Sequence, residues 1–205
     1  MIVLGISGLE NSVPFKRTHW PGLETREYRI AQGMDAAAAL VIDGTVIAAV
    51  EQERFNREKH SGKFPIDAIR FCLSEAGISI DEIDELAQAF DYEPYRDLYG
   101  RDPISADQYR QVFSRDALLA QVRRDLPGLP EEKVFPVGHH LAHAASAAYT
   151  SGWDECLVIV NDAMGEIESL SVYDFHDREL ERIRTIGAND SIGILYSLVT
   201  LHLGF

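Results

Sequence analysis

Cysteine is too scarce here to build a disulfide framework: Cys72 and Cys156 are the only two, far apart and each in apolar surroundings. They read as buried thiols of a cytoplasmic protein rather than as a staple in a secreted one. No apolar run reaches the roughly 18 residues that span a bilayer, so no membrane partner is expected. Basic residues are also few. Nineteen Lys and Arg against 33 Asp and Glu leave a formal net charge of −14. Such a surface repels polyanions, which argues against DNA or RNA as a main partner and leaves small molecules open, cationic ones included. Plain solubility is the simpler account of the charge. Internal repeats and low-complexity tracts are lacking too. The opening residues Met1-Ile2-Val3-Leu4-Gly5 have no basic stretch and no cleavage site, and read as a strand rather than a secretory leader.

What is present is ordinary for a globular chain: 46% apolar and 25% charged residues over a length that suits one or two domains. Residues 2–6 read as a strand. Residues 9–33 carry Pro14, Pro21, Gly22 and Gly33 among charges, and are expected to form a long loop. Two apolar runs between Ala36 and Val50 flank Asp43-Gly44, a hairpin signal, and their near-continuous apolarity predicts cover on both faces. Pro65 opens a helical pattern that Gly77 closes. A short strand is expected over Leu86 to Phe90, irregular chain over 91–107, a helix over 108–125 and a short strand at Val134-Phe135. An alanine-rich helix follows from His139 to Thr150, then a buried strand from Cys156 to Val160. Strands near 168–174 and 180–186 precede a core-like apolar helix over 191–203. Strands at both ends with helices between them predict an α/β sheet. Nothing polar follows Phe205, so the chain reads as part of a longer or split polypeptide.

Three histidines fall within five positions, His139, His140 and His143, when the whole chain holds seven. His139 and His143 are four apart, so a helix points both from one face and lets two imidazoles share a metal ion. Capping or core histidines are the plainer reading. Asp162 follows an apolar strand, at the end where α/β proteins place ligands, although Asn161 to Gly165 is equally turn-like. Two histidines and a carboxylate suit Fe(II) or a similar divalent ion, and Zn(II) accepts the same set. The segment from Glu53 to His60 gathers Arg54, Arg57 and Lys59, a local cationic spot that could hold phosphate or carboxylate, or simply a solvated charge run. Asp35 precedes the first hairpin strand as a candidate general base or a turn residue.

The segments GMDAAAALVIDGTVIAAVEQERFNREKHSGKFPIDAIRFCL, VGHHLAHAASAAYTSGW, VNDAMGE and SIGILYSLVTLHLGF, in this order from about residue 33 to the end, resemble the antibiotic and nodulation-factor O-carbamoyltransferase family. The resemblance implies an actin/Hsp70/sugar-kinase-like (ribonuclease H-like) mixed sheet with flanking helices, here an incomplete domain with residues 9–33 as an insertion. In that family a C-terminal domain uses ATP and carbamoyl phosphate to make carbamoyl adenylate. The N-terminal domain then passes the carbamoyl group to an acceptor hydroxyl with a bound metal, reported as iron. The resemblance carries His139, His143 and Asp162 onto metal ligands, with a further aspartate ligand beyond residue 205. It carries Asp35 onto an aspartate beside the acceptor hydroxyl, and implies that Arg57, Lys59 and His60 contact substrate or phosphate. Met34 and Ala36 stand where His and Ser are usual, and Ala163 where Gly is usual. The implied partners are a small hydroxyl acceptor and a C-terminal activating domain. Aminoglycosides, macrolactams, cephems and lipo-oligosaccharides are all acceptors in the family. The competing readings are an ATP-dependent phosphotransferase or ATPase of the same fold, and a non-catalytic binding module.

Overall fold

The computed structural model describes residues 1–28 and 30–204. Arg29, inside the expected loop, and Phe205, inside the apolar ending, lie outside the described residues. The chain forms two compact units, Met1–Pro136 and Val137–Phe205.

The first unit is organised by a five-stranded sheet. Strand β1 (Ile2–Ser7) is followed by helices α1 (Ser12–His19) and α2 (Thr25–Tyr28), then by the hairpin strands β2 (Ala37–Ile42) and β3 (Thr45–Glu51). At the hairpin turn Asp43 and Gly44 have φ of 48° and 81°, the left-handed pair that a two-residue primed turn requires. Helices α3 (Glu53–Asn56) and α4 (Ile66–Ala76), strand β4 (Glu85–Gln88), helices α5 (Arg96–Tyr99), α6 (Pro103–Gln108) and α7 (Arg115–Asp125), and strand β5 (Val134–Pro136) complete it. The sheet order is β3-β2-β1-β4-β5; β1 runs antiparallel to β2 and parallel to β4, and β4 is parallel to β5. This is the mixed sheet with flanking helices of the ribonuclease H-like class. Leu4, Leu40, Ile69, Ile83, Leu86 and Val122 are fully buried between sheet and helices. Each such side chain contributes roughly 1.5–3 kcal/mol. Gly77 (φ 68°) ends α4, its N–H and that of Ile78 returning to the Leu73 carbonyl.

Four expectations for this unit change. Residues 9–33 hold α1 and α2 where a loop was expected; Phe15 and Tyr28 are buried, which orders the segment despite its prolines and glycines. Residues 91–107 contain short helices rather than irregular chain, with Asp102 capping α6 through Ile104 and Ser105 N–H. The helix expected over 108–125 breaks at Ser114, which turns extended and caps α7 by accepting from Ala117 N–H. Strand β3 is an edge strand, and Val46 and Ile47 are exposed because only one face of the hairpin is packed, against α4.

The second unit is a helix on a hairpin sheet. Helix α8 (His139–Thr150) precedes the antiparallel strands β6 (Cys156–Gly165), β7 (Glu168–His176) and β8 (Glu179–Gly187), and helix α9 (Ile192–His202) follows. Ala144 and Ala148 of α8 pack on Val158, Val160, Tyr173 and Phe175. The sheet's other face carries exposed Leu157 and Ile159, so β6 is not the fully buried strand its composition suggests. Helix α9 forms where expected, but none of its side chains is buried among the described residues. Cys72 and Cys156 are both free, as expected. No helix among the described residues is long and apolar enough to cross a membrane.

Candidate functional site

Helix α8 and strand β6 run in opposite directions, so the first turn of the helix lies beside the last residues of the strand. The strand's two-residue period puts Val158, Val160 and Asp162 on the face that meets α8. The helix's period puts His140, Ala144 and Ala148 on its buried side, with His139 and His143 one step round. At Asp162 the ladder slips: Asn161 still pairs with Leu170, but the next pair is Gly165 with Glu168. The bulge frees Asp162 from regular pairing and aims its carboxylate at the histidines. It is both strand and irregularity, which explains its turn-like composition.

His139 Nε2 and His143 Nε2 are 3.0 Å apart, their rings nearly perpendicular. His139 Nε2 lies 3.3 Å from Asp162 Oδ2. One donor atom from each of the three residues falls within 4.8 Å of the others. Metal–nitrogen and metal–oxygen bonds of about 2.1 Å separate neighbouring donors by roughly 3.0 Å at right angles and roughly 3.4 Å at tetrahedral angles, so the residues present fit a divalent ion. Burial opposes ionisation of Asp162, but the His139 and His140 imidazoles outweigh it and hold its carboxyl well below the usual range. Burial, reinforced by His139, pushes His143 down and favours the neutral ring.

Several residues that build this corner carried no weight in the sequence reading. His140 is only 2% exposed; its Nδ1 lies 2.7 Å from Ser171 Oγ and its Nε2 3.2 Å from Asp162 Oδ1. Buried Glu166, with φ 46°, accepts the His139 N–H at 3.0 Å and supplies the acidic cap that α8 lacks in its own first turn. Gly165 has no room for a side chain: a Cβ there would stand 2.6 Å from His139 Cδ2 and 2.9 Å from His140 Cδ2. At Gly193 a Cβ would stand 2.6 Å from the Asp162 carbonyl oxygen, and Ser191 donates to the Ala163 carbonyl at 2.6 Å, pinning α9 to the bulge. The available signal was the Met-Gly-Glu ending of the motif at residues 160–166 and the doubled histidine. Ala163 itself is exposed, so its methyl meets no crowding within this unit.

The remaining candidates gather in the first unit. Asp35 Oδ1 is 2.8 Å from His60 Nδ1, and with Glu53 the two form a second set of closely spaced ligand-type groups. Glu53 is engaged: it pairs with Lys59 at 2.8 Å and accepts the His60 N–H at 3.0 Å. Arg54 pairs with Glu51. Of the three cations in the expected patch, Arg57 alone has no ion-pair partner among the described residues. Asp35, Arg57 and His60 all have left-handed backbone, with φ of 60°, 61° and 55°. Such conformations cost energy in Arg and His, and they cluster where function holds a chain in place.

The family model described as "Carbamoyltransferase N-terminus" matches residues 30–95 and 104–205. The chain belongs to that family. An uncharacterized protein of Synechocystis sp., sll1178, is 34% identical over 83% of this chain and 30% of its own length. The nodulation protein NolNO of Sinorhizobium fredii is also 34% identical, over 83% of this chain and 25% of its own length. The chain thus spans less than a third of these curated relatives. Among solved structures, YeaZ from Pseudomonas aeruginosa covers 91% of this chain and 66% of its own at 12% identity and a TM-score of 0.43, too low to support a functional likeness.

Proposed function

We propose that this chain supplies the metal-binding part of an O-carbamoyltransferase that moves a carbamoyl group from carbamoyl adenylate to a hydroxyl of a small natural-product or sugar acceptor. The adenylate would be made from carbamoyl phosphate and ATP by an activating domain outside this chain. Membership of the carbamoyltransferase N-terminus family supports the reaction class. The observation that carries the site is the convergence of His139, His143 and Asp162. They would hold a divalent ion, Fe(II) or Zn(II) by donor type. When bound, such an ion supplies Lewis-acid stabilisation of negative charge on the reacting oxygens.

The chain's own groups do the rest. Asp35, held by His60, would take the proton from the acceptor hydroxyl as its oxygen forms a bond to the carbamoyl carbon and AMP departs. Arg57, its guanidinium unpaired, would bind phosphate oxygens, with Lys59 and His60 beside it. The net charge of −14 favours a neutral or cationic acceptor over a nucleic acid.

The test supplies preformed carbamoyl adenylate and a panel of sugar and macrolactam hydroxyls to the full chain, with and without a separately expressed activating domain. Carbamoylated product with stoichiometric AMP is expected, and Asp35→Asn should lower its rate by roughly 10²–10⁴ while leaving metal content unchanged. In a parallel assay with ATP in place of the adenylate, release of ADP with a phosphorylated acceptor would sink the proposal in favour of a phosphotransferase.

A further inference from the structure

The metal reading uses two of the three clustered histidines and leaves the most deeply buried one without a task. His140 is 2% exposed on the inner face of α8, yet both of its ring nitrogens are engaged. Its Nε2 faces Asp162 Oδ1 at 3.2 Å. A carboxylate only accepts, so the hydrogen-bond network puts a proton on Nε2. Its Nδ1 meets Ser171 Oγ at 2.7 Å. Ser171 is fully buried on β7; its Oγ is 3.1 Å from Glu168 Oε2, and Glu168 is paired with Arg182 at 2.9 Å. A polar relay thus runs from Arg182 on β8 through Glu168 and Ser171 on β7 to His140, and ends on Asp162.

From this geometry we infer that His140 is a positioning residue: it holds one oxygen of Asp162 so that the other is presented to the His139–His143 pair. Asp162 needs such a hold because the β6 bulge removes it from regular strand pairing. Oδ1 is committed to His140, while Oδ2 is the oxygen 3.3 Å from His139 Nε2. Gly165 preserves the arrangement, since any Cβ there would push on both the His139 and His140 rings. Outer partners that orient ligands typically carry 10- to 100-fold of metal affinity.

The inference rests on the metal reading proposed above, and the experiment separates the two. Co(II) is titrated into the full chain, with affinity and the visible d–d absorption both recorded. Wild type should bind one Co(II), and His140→Leu should bind it roughly 10- to 100-fold more weakly with an altered spectrum. His140→Gln, whose amide can still donate to Asp162, should recover most of the affinity. Ser171→Ala, which removes only one hydroxyl, should weaken binding several-fold and shift the spectrum. It decides the matter if His140→Leu fails to fold. Equal weakening by Leu and Gln would reduce His140 to packing and overturn the inference. Unchanged affinity and spectrum in His140→Leu or Ser171→Ala would overturn it as well. Failure of wild type itself to bind Co(II) would remove the metal reading, and this inference with it.

Discussion

Two clusters of three closely spaced ligand-type residues stand among the described residues, and they are built in opposite ways. Asp162 with His139 and His143 rests on buried structure: His140, Ser171 and Glu166 behind it, Gly165 shaved to fit, and Ser191 fastening the bulge. In the second, Asp35 and His60 stand largely in solvent on left-handed backbone, and of the three only the Glu53 side chain is mostly buried. A metal centre needs donors whose directions are fixed before the ion arrives, and the first group has that. The base role proposed for Asp35 tolerates the looser setting of the second. The difference lies in support as well as in composition, since the first offers two imidazoles and one carboxylate and the second one imidazole and two carboxylates.

If support is what separates them, disturbing the backing of the first group should cost stability, whereas disturbing the second should not. The largest effect is expected from Gly165→Ala, whose methyl must displace two histidine rings. Urea denaturation should show a loss of about 1–3 kcal/mol. Glu166→Ala should follow at about 1 kcal/mol by the same measurement, because α8 loses the acidic cap at its N-terminus. Asp35→Asn keeps a residue that tolerates left-handed backbone at an exposed position, and should stay within about 0.5 kcal/mol of wild type. Lys59→Ala, at the exposed end of its pair, should leave the thermal midpoint unchanged. Destabilisation by Asp35→Asn matching that of Gly165→Ala would erase the distinction.

Much of this was legible before any coordinates. Asp43-Gly44 fixed the hairpin because few dipeptides adopt two left-handed residues in succession. The His139–Thr150 helix and the one-turn spacing of its histidines followed from periodicity. Burial was less legible. The apolar runs of β3 and β6 resemble strands covered on both faces, yet each is packed on one side here, since composition records what a surface could bury and not what lies against it. The helices inside residues 9–33 and the break at Ser114 were hidden because tertiary packing and a serine cap overrode local propensity. His140, Gly165 and Glu166 were invisible for a different reason. Their roles exist only once the β6 bulge is brought against the start of α8, a contact between residues more than twenty positions apart. Adjacent histidines of one helix turn therefore received opposite assignments, one facing the candidate ion and the other the core.

Metal stoichiometry tests whether His139, His143 and Asp162 form one metal-binding unit. The full chain, loaded anaerobically with Fe(II) and freed of excess ion, should retain one equivalent by elemental analysis. His139→Ala and Asp162→Ala should each retain none while staying folded, and His60→Ala should retain the full equivalent. One equivalent of iron in wild type, His139→Ala and Asp162→Ala alike, or its loss only in His60→Ala, would contradict that assignment.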